Sequence, residues 1–171
     1  MAAINSSLDV AAFKNKFTKE NAAEIMVEKG TGKNAAVIGH FPFVNRFRKK
    51  NIFKNLWVFE LSPKDEQDLS PEMFSEYLPQ TDVLMITATS IVNKTFSKIM
   101  QYVSADSFNI MLGPTTPLNP LLFDFNIDVL SGAVPADNKL ARTWFSQGSK
   151  YRETKGIEFV SLRKDRFGSL K

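Results

Sequence analysis

The amino-acid sequence predicts an α/β protein: a Rossmann-like three-layer sandwich whose mainly parallel sheet has five to six strands. Short apolar runs bounded by turn residues alternate along the chain with segments in which apolar residues recur at helical spacing. The chain has 171 residues, 43% of them apolar, which is enough to bury a substantial core as one domain. Parallel strands joined in this way require crossover connections, which are right-handed.

Six apolar segments predict the strands, at residues 35–39, 56–61, 83–88, 108–113, 129–134 and 157–162. Helices are predicted over 70–77, 93–103 and 138–147, the first because Ser70 and Pro71 are favoured at a helix start. Before the first strand, the spacing of apolar residues is helical as far as Gly30. We therefore expect a helical N-terminal lead-in over residues 1–33 and a Rossmann-like domain over residues 34–171.

The composition excludes several kinds of chemistry. With no Cys and a single His, His40, the chain forms neither a thiolate site nor a zinc site with several His ligands, and no metal site is predicted. Asp124 and Asp128 are either ligands for a hard cation or ordinary turn residues.

The charge pattern bears on partners and location. The net charge of +4 is modest, and the basic excess over residues 139–171 is typical of a solvated surface, so no nucleic-acid partner is expected. Charged residues near the N-terminus and prolines within the longest uncharged run predict no secretion signal and no membrane segment. The expected location is the cytoplasm.

The loops that follow the strands are the expected ligand site, because open α/β sheets bind ligands at the carboxyl ends of their strands. After the first strand come Gly39, His40, Phe41 and Pro42, in which His40 is the candidate catalytic acid or base. The alternative is a half-buried structural histidine. Glu60 lies at the end of the second strand, where dinucleotide-binding folds place a carboxylate against ribose. The glycine-rich fingerprint is absent, which disfavours a standard NAD or FAD site, and no cofactor is assigned.

Two further loops are rich in polar groups. The loop after the third strand offers hydroxyl and amide groups at a helix start, where they bind an anion or only cap the helix. The loop after the fourth strand combines a glycine, stiffening prolines and two hydroxyls, which suits ligand positioning. The candidate binding residues in these loops are Thr89, Ser90, Asn93, Gly113, Thr115 and Thr116.

An ordered series of motifs in these loops resembles the putative heavy-metal chelation domain family, a group of poorly characterised prokaryotic proteins. The motifs are VIGHFPF at 37–43, FELSP at 59–63, LPQTDV at 78–83, TATSIVNKT at 87–95, LGPTTPL at 112–118 and VLSGA at 129–133. The resemblance implies a Rossmann-like domain that follows a domain resembling the enolase N-terminal fold, with a site in the cleft between them. Only about 33 residues precede the first strand, so we expect either a stand-alone variant or a partner chain that supplies that domain.

The residues and the resemblance together favour a small-molecule-binding protein involved in the synthesis or recognition of a heavy-metal chelator. Its partner would be a small molecule or a metal–chelator complex, and homo-oligomerisation is expected as a companion property. One alternative is a non-catalytic subunit that completes a site with another chain. The other is a nucleotide- or S-adenosylmethionine-dependent enzyme that uses Glu60. The sequence leaves open whether the protein is an enzyme.

Overall fold

Seven strands form one sheet in the order β3-β2-β1-β4-β5-β6-β7 in the computed structural model, which describes residues 2–63, 65–150 and 153–167. All neighbouring strands are parallel except β6 and β7. The first six strands therefore have the order 3-2-1-4-5-6 that is common in dinucleotide-binding folds. The strands are β1 (Asn34–Ile38), β2 (Asn55–Phe59), β3 (Asp68–Leu69), β4 (Val83–Thr87), β5 (Phe108–Leu112), β6 (Val129–Pro135) and β7 (Ile157–Arg163).

The central strands are almost entirely apolar because both faces of the sheet are covered, and the polar residues of β1, β4 and β5 are Asn34, Thr87 and Asn109. In β1, Ala36 and Ile38 belong to the core on one face, whereas Ala35 and Val37 belong to the core on the other. A strand whose successive side chains all enter a core has no polar alternation. This burial explains why the sequence shows short continuous apolar runs.

Helices cover both faces of the sheet. On one face α2 and α3 bury Met26 and Phe47, and on the other α4 and α6 bury Phe74 and Ile99. The helices are α1 (Ala2–Ser7), α2 (Ala22–Gly30), α3 (Val44–Lys50), α4 (Phe74–Tyr77), α5 (Thr89–Val92), α6 (Phe96–Met100) and α7 (Asn138–Ser146). Tighter 3₁₀ turns occur at Val10–Lys16, Pro71–Met73, Leu78–Gln80, Pro120–Phe125 and Lys164–Arg166.

The N-terminal residues contact both faces of the sheet. The 3₁₀ turn Val10–Lys16 lies on the α4 face, where the Phe13 ring meets that of Phe167. The chain then crosses the edge of the sheet, where Thr18 forms a β-bridge with Ser161, and enters α2 on the opposite face. This crossing brings the segment that enters α2 alongside Ser161, the residue of β7 that pairs with Ser131 of β6.

The predicted α/β fold with a mainly parallel sheet is confirmed, although the sheet contains seven strands rather than five to six. The additional strand, β3, has only two residues, one of them charged, and therefore leaves no apolar run in the sequence. The predicted start of the helix over 93–103 is wrong, because the helix observed there, α6, begins at Phe96. Two shorter helices, α5 and α6, flank a turn in which Lys94 has the left-handed φ of 61°.

No helix in the described part of the chain combines the length and the apolar character needed to cross a lipid bilayer.

Asp128 is half-buried and accepts a hydrogen bond from the backbone N–H of Asn109 at 2.8 Å, whereas Asp124 is exposed in a 3₁₀ turn. Burial raises the pKa of Asp128 above its ordinary value of 3.8, although the Asn109 hydrogen bond and Lys164 oppose the shift. The folded state thus binds the Asp128 proton more tightly than the unfolded state does. Stability is therefore lost as the pH rises from 3.8 through the folded pKa.

Asp128→Asn keeps an acceptor for Asn109 and does not ionise. We expect this variant to be more stable than the wild type at pH 7, with a difference that narrows as the pH falls toward 4. Urea unfolding at several pH values measures the difference in the free energy of unfolding. A difference that does not change with pH would show that ionisation of Asp128 is not its cause.

Candidate functional site

A crevice of about 580 Å³ opens at the carboxyl ends of β1 and β5, on the sheet face covered by α2 and α3. The loop after β1 and the start of α3 form one wall, and the segment entering α2 lies across from them. Residues of β6 and β7 form the floor. The volume falls within the range of ordinary small-molecule sites.

The wall after β1 is aromatic. Gly39 turns the chain out of β1 with a φ of +100°, and a side chain there would lie only 3.3 Å from Thr87. The rings of Phe41 and Phe43 are then stacked at 5.3 Å with an interplanar angle of 7°, and Phe43 leans on the buried Phe47. The stack is anchored to the core and presents apolar surface to the crevice.

Arg46 on α3 is the cation that this crevice offers to a ligand. It is exposed and lines the crevice, and no acidic side chain within the described residues pairs with it. On the opposite side, Lys19 Nζ lies 3.7 Å from Glu158 Oε1, and the two side chains are 80% and 47% exposed. Arg46 therefore supplies positive charge that no carboxylate in the described part of the chain neutralises.

Glu20, the acidic residue among those lining the crevice, is held by Arg163. One carboxylate oxygen accepts from Arg163 Nη1 at 3.1 Å, and the other accepts from the Thr18 hydroxyl at 2.7 Å. Burial disfavours the charge of Arg163, but Asp165 and Glu20 outweigh that effect and raise the pKa of Arg163. The charge of Glu20 is thus balanced within the protein.

The floor carries two hydroxyls from the paired strands β6 and β7. Ser131 and Ser161 lie opposite each other in the antiparallel register, with their Oγ atoms 2.6 Å apart. Ser161 Oγ also donates to the backbone carbonyl of Glu20 at 2.9 Å. Both serines are buried and both line the crevice.

A second polar cluster surrounds His40. Its Nδ1 lies 3.1 Å from Oδ2 of the fully buried Asp68 carboxylate, and its backbone N–H donates to Glu60 at 2.9 Å. Arg48 Nη2 donates to the other oxygen of Asp68 at 2.9 Å, and Arg48 Nη1 lies 3.1 Å from Asp65. Asp68 thus orients an imidazole and a guanidinium at once.

Helix α3 separates the crevice from this cluster. Arg46 and Arg48 are two residues apart on the helix and therefore point in nearly opposite directions, about 200° apart around its axis. Arg46 faces the crevice, whereas Arg48 faces Asp68. His40 belongs with Arg48 and is not among the residues that line the crevice.

Comparison with protein families decides the identity of the chain. Residues 21–161, most of its length, match the family described as "Putative heavy-metal chelation". The chain belongs to this family. An uncharacterised protein of Methanocaldococcus jannaschii is 30% identical over 126 residues, which represent 72% of this chain and 48% of that protein.

Solved structures from the same family have the same fold. One, of unknown function from Desulfitobacterium hafniense, has a TM-score of 0.70 and 28% identity over 85% of this chain and 58% of its own. Another, of unknown function from Pyrococcus horikoshii, has a TM-score of 0.75 and 21% identity over 95% of this chain and 64% of its own. The chain thus spans about half the length of the curated relative and less than two thirds of each structure.

The residues predicted from the sequence do not form one site. Phe41, Pro42 and Gly113 line the crevice, with Gly39 at the start of its aromatic wall. His40 and Glu60 lie in the second cluster, where the Glu60 oxygens accept from the backbone N–H groups of His40 and Leu61. Glu60 therefore holds the loop after β1. Whether either group of residues binds a ligand stays a prediction.

The remaining predicted residues lie outside the crevice lining. Thr89 shares a hydrogen bond with Thr87 at 3.0 Å, and Asn93 accepts from Thr95 at 2.6 Å. The Thr116 hydroxyl donates to the Gly113 carbonyl, and the Thr115 carbonyl accepts from Asn5. Ser90 is buried, and its Oγ makes no hydrogen bond within the described residues.

Sequence reasoning missed Arg46, Ser131, Ser161, Arg48 and Asp68. Arg46 and Arg48 fall in a conspicuously basic stretch, and a helical assignment of that stretch would have placed them on opposite sides. Ser131 and Ser161 are polar residues inside apolar strand segments, which is itself a sign of a buried hydrogen-bonded pair. Asp68 carries no comparable signal.

Across the described residues, no group of three or more His, Asp or Glu side chains is arranged to hold a metal ion. The chain also has no Cys, and Asp68 engages Nδ1 of its single His. The described residues therefore do not supply the ligand set of a heavy-metal site.

Proposed function

We propose that this protein binds a small organic acid of the kind that chelates metal ions, or the metal complex of such an acid, in the crevice beside α3. The observation that carries the proposal is Arg46, a cation that lines the crevice next to an aromatic wall and has no acidic partner among the described residues. A guanidinium binds carboxylates through charge-assisted hydrogen bonds. The description of the family supports the chelator class.

The chemistry of the crevice indicates the shape of the ligand. The stacked rings of Phe41 and Phe43 favour a flat ligand group, because aromatic surfaces pack through offset or edge contacts. The charge of Glu20 is balanced by Arg163, so the lining leaves Arg46 to bind an anion. A flat carboxylate with metal-binding hydroxyls satisfies both features.

The metal would arrive already bound by the organic ligand. Heavy metals of the soft class prefer thiolate and imidazole ligands, and the crevice lining contains neither a Cys nor His40. A metal complex brings its own donor atoms and needs from the protein only shape and opposite charge. Recognition of a complex is therefore compatible with the residues that line the crevice.

Replacing Arg46 with alanine is expected to weaken binding of 2,3-dihydroxybenzoate, a flat carboxylate that chelates ferric iron. Loss of one charge-assisted hydrogen bond at an exposed site should raise the dissociation constant about tenfold, equivalent to about 1.4 kcal/mol. Isothermal titration calorimetry, with the free acid and with its ferric complex, measures the change.

Arg142→Ala is the matched control, because Arg142 is exposed on α7 and does not line the crevice. It removes the same charge from the protein and should leave the dissociation constant within about twofold, since distant exposed charges are screened by salt. If binding weakened equally in the two variants, the loss of net charge would explain the effect, and a specific contact with Arg46 would not be needed. Absence of binding to the wild type would contradict the proposal for this ligand class.

A further inference from the structure

The two hydroxyls on the crevice floor have a fixed order of donors and acceptors. The Glu20 carbonyl can only accept a hydrogen bond, and it lies 2.9 Å from Ser161 Oγ, so the Ser161 proton points to Glu20. The 2.6 Å separation between the two Oγ atoms requires one proton between them, and Ser131 alone can supply it. The reverse order would leave Ser161 Oγ and the Glu20 oxygen facing each other through lone pairs.

Ser131 therefore has no proton left for a ligand. Ser131 lines the crevice although the residue is only 4% exposed, and its oxygen keeps lone pairs that can accept a hydrogen bond. Among the described residues, Ser161 is the hydroxyl partner of Ser131, and nothing donates to Ser131 Oγ. Ser131 thus differs from an ordinary serine, whose hydroxyl can rotate to donate or to accept a hydrogen bond.

We infer that Ser131 makes the crevice selective for ligands that carry an O–H or N–H donor in addition to their anionic group. This inference rests on the proposed function and adds the class of ligand. Arg46 would bind the carboxylate, and Ser131 would accept from a hydroxyl or amino group of the same molecule. Hydroxy acids and amino acids with flat rings belong to this class, whereas their O-methylated or N,N-dimethylated forms do not.

A ligand without a donor loses more than one contact. Its ether oxygen would face the Ser131 lone pairs in a buried position, where neither atom can bond to water. Sites that form a hydrogen bond with a substrate hydroxyl discriminate strongly against analogues that lack this hydroxyl. Because the crevice is open, we expect the dissociation constant of the ligand without a donor to be about ten- to hundredfold higher than that of the ligand with one.

The test compares 3-hydroxybenzoate with 3-methoxybenzoate, and 4-hydroxybenzoate with 4-methoxybenzoate, by calorimetric titration of the full chain. Two ring positions are used because the distance from Arg46 to Ser131 sets which hydroxyl can reach. For at least one pair, the hydroxy form should bind the wild type about tenfold or more tightly than the methoxy form. This measurement needs no variant and does not depend on whether one folds.

Two variants then separate the roles of the serines. Ser131→Ala removes the acceptor, so the hydroxy form should weaken and the ratio between the paired ligands should fall to about one. Ser161→Ala removes the acceptor of the Ser131 proton, which leaves Ser131 able to donate. This variant should therefore bind the methoxy form more tightly than the wild type does. Thermal melting checks that both variants are folded.

Each outcome has one consequence. Equal binding of hydroxy and methoxy forms by the wild type overturns the inference and leaves the proposed function standing. Full discrimination in Ser131→Ala also overturns it, because another group would then be responsible. If none of the four benzoates binds while 2,3-dihydroxybenzoate does, the inference fails and the proposed function stands. If none of the five acids binds, both fail.

Discussion

Replacing Asp68 with alanine is expected to lower the free energy of unfolding by about 3–4 kcal/mol, because it removes the buried partner of a nearly buried cation and leaves Arg48 only the more exposed Asp65. The Asp68 carboxylate is fully buried and accepts from Arg48 Nη2 at 2.9 Å. It also contacts His40 Nδ1 and the backbone N–H of Asp65, each within 3.2 Å. Only 15% of the Arg48 side chain is exposed, so water cannot replace the lost oxygens fully.

Two other substitutions in the same cluster serve as comparisons. His40→Ala removes one hydrogen-bonding partner of Asp68 and should cost about 1 kcal/mol, the net value of an ordinary hydrogen bond. Asp65→Ala removes a half-exposed partner of Arg48 and should cost less than about 1 kcal/mol. Urea unfolding of all three variants ranks their free energies of unfolding, provided that their m-values agree.

The ranking tests whether Asp68 organises the cluster. A cost for Asp68→Ala no larger than that for Asp65→Ala would show that the buried pair with Arg48 adds no net stability. The expected order also has a consequence for His40. An imidazole held at Nδ1 by a buried carboxylate has a fixed ring orientation, which leaves Nε2 as the nitrogen for any contact outside the protein.

Much of the fold could be predicted from the sequence because burial on both sheet faces leaves a direct trace in composition. β1 and β4 are apolar apart from Asn34 and Thr87 at their ends, and the structure buries every other residue in them. The two-residue strand β3 was not predictable in this way, since it depends on pairing with Val58 and Phe59 of β2. Tertiary contact, rather than local pattern, forms it.

The candidate site was less predictable because its residues meet through long-range geometry. The loops after β1 and β5 were expected to converge, and Phe41 and Gly113 do line one crevice. Ser131 and Ser161, however, are 30 residues apart and meet only through the register of β6 with β7. Likewise, His40 faces away from the crevice because Asp68, 28 residues further along, binds its ring.

The floor of the crevice depends on how β7 is placed, and Gly156 controls that placement. Gly156 lies immediately before β7, and its carbonyl accepts from the backbone N–H groups of Ala136 and Asp137. Its φ is +81°, and an added Cβ would lie 2.8 Å from both Ala141 N and Asp137 O. Helix α7 and the start of β7 can approach this closely only while residue 156 has no side chain.

Gly156→Ala is therefore expected to lower the free energy of unfolding by about 3 kcal/mol, of which roughly 1 kcal/mol is the left-handed conformation and the rest is overpacking against backbone. Gly148→Ala is the matched control, because its φ of +76° imposes the same strain while no atom lies within 4 Å of the added Cβ. It should cost only about 1 kcal/mol. The difference between the two variants in urea unfolding measures the contact of α7 with β7 alone. An equal loss of unfolding free energy in the two variants would show that α7 moves aside for the added Cβ without destabilising the protein. In that case the position of Ser161, five residues further along β7, would not depend on the fit at Gly156.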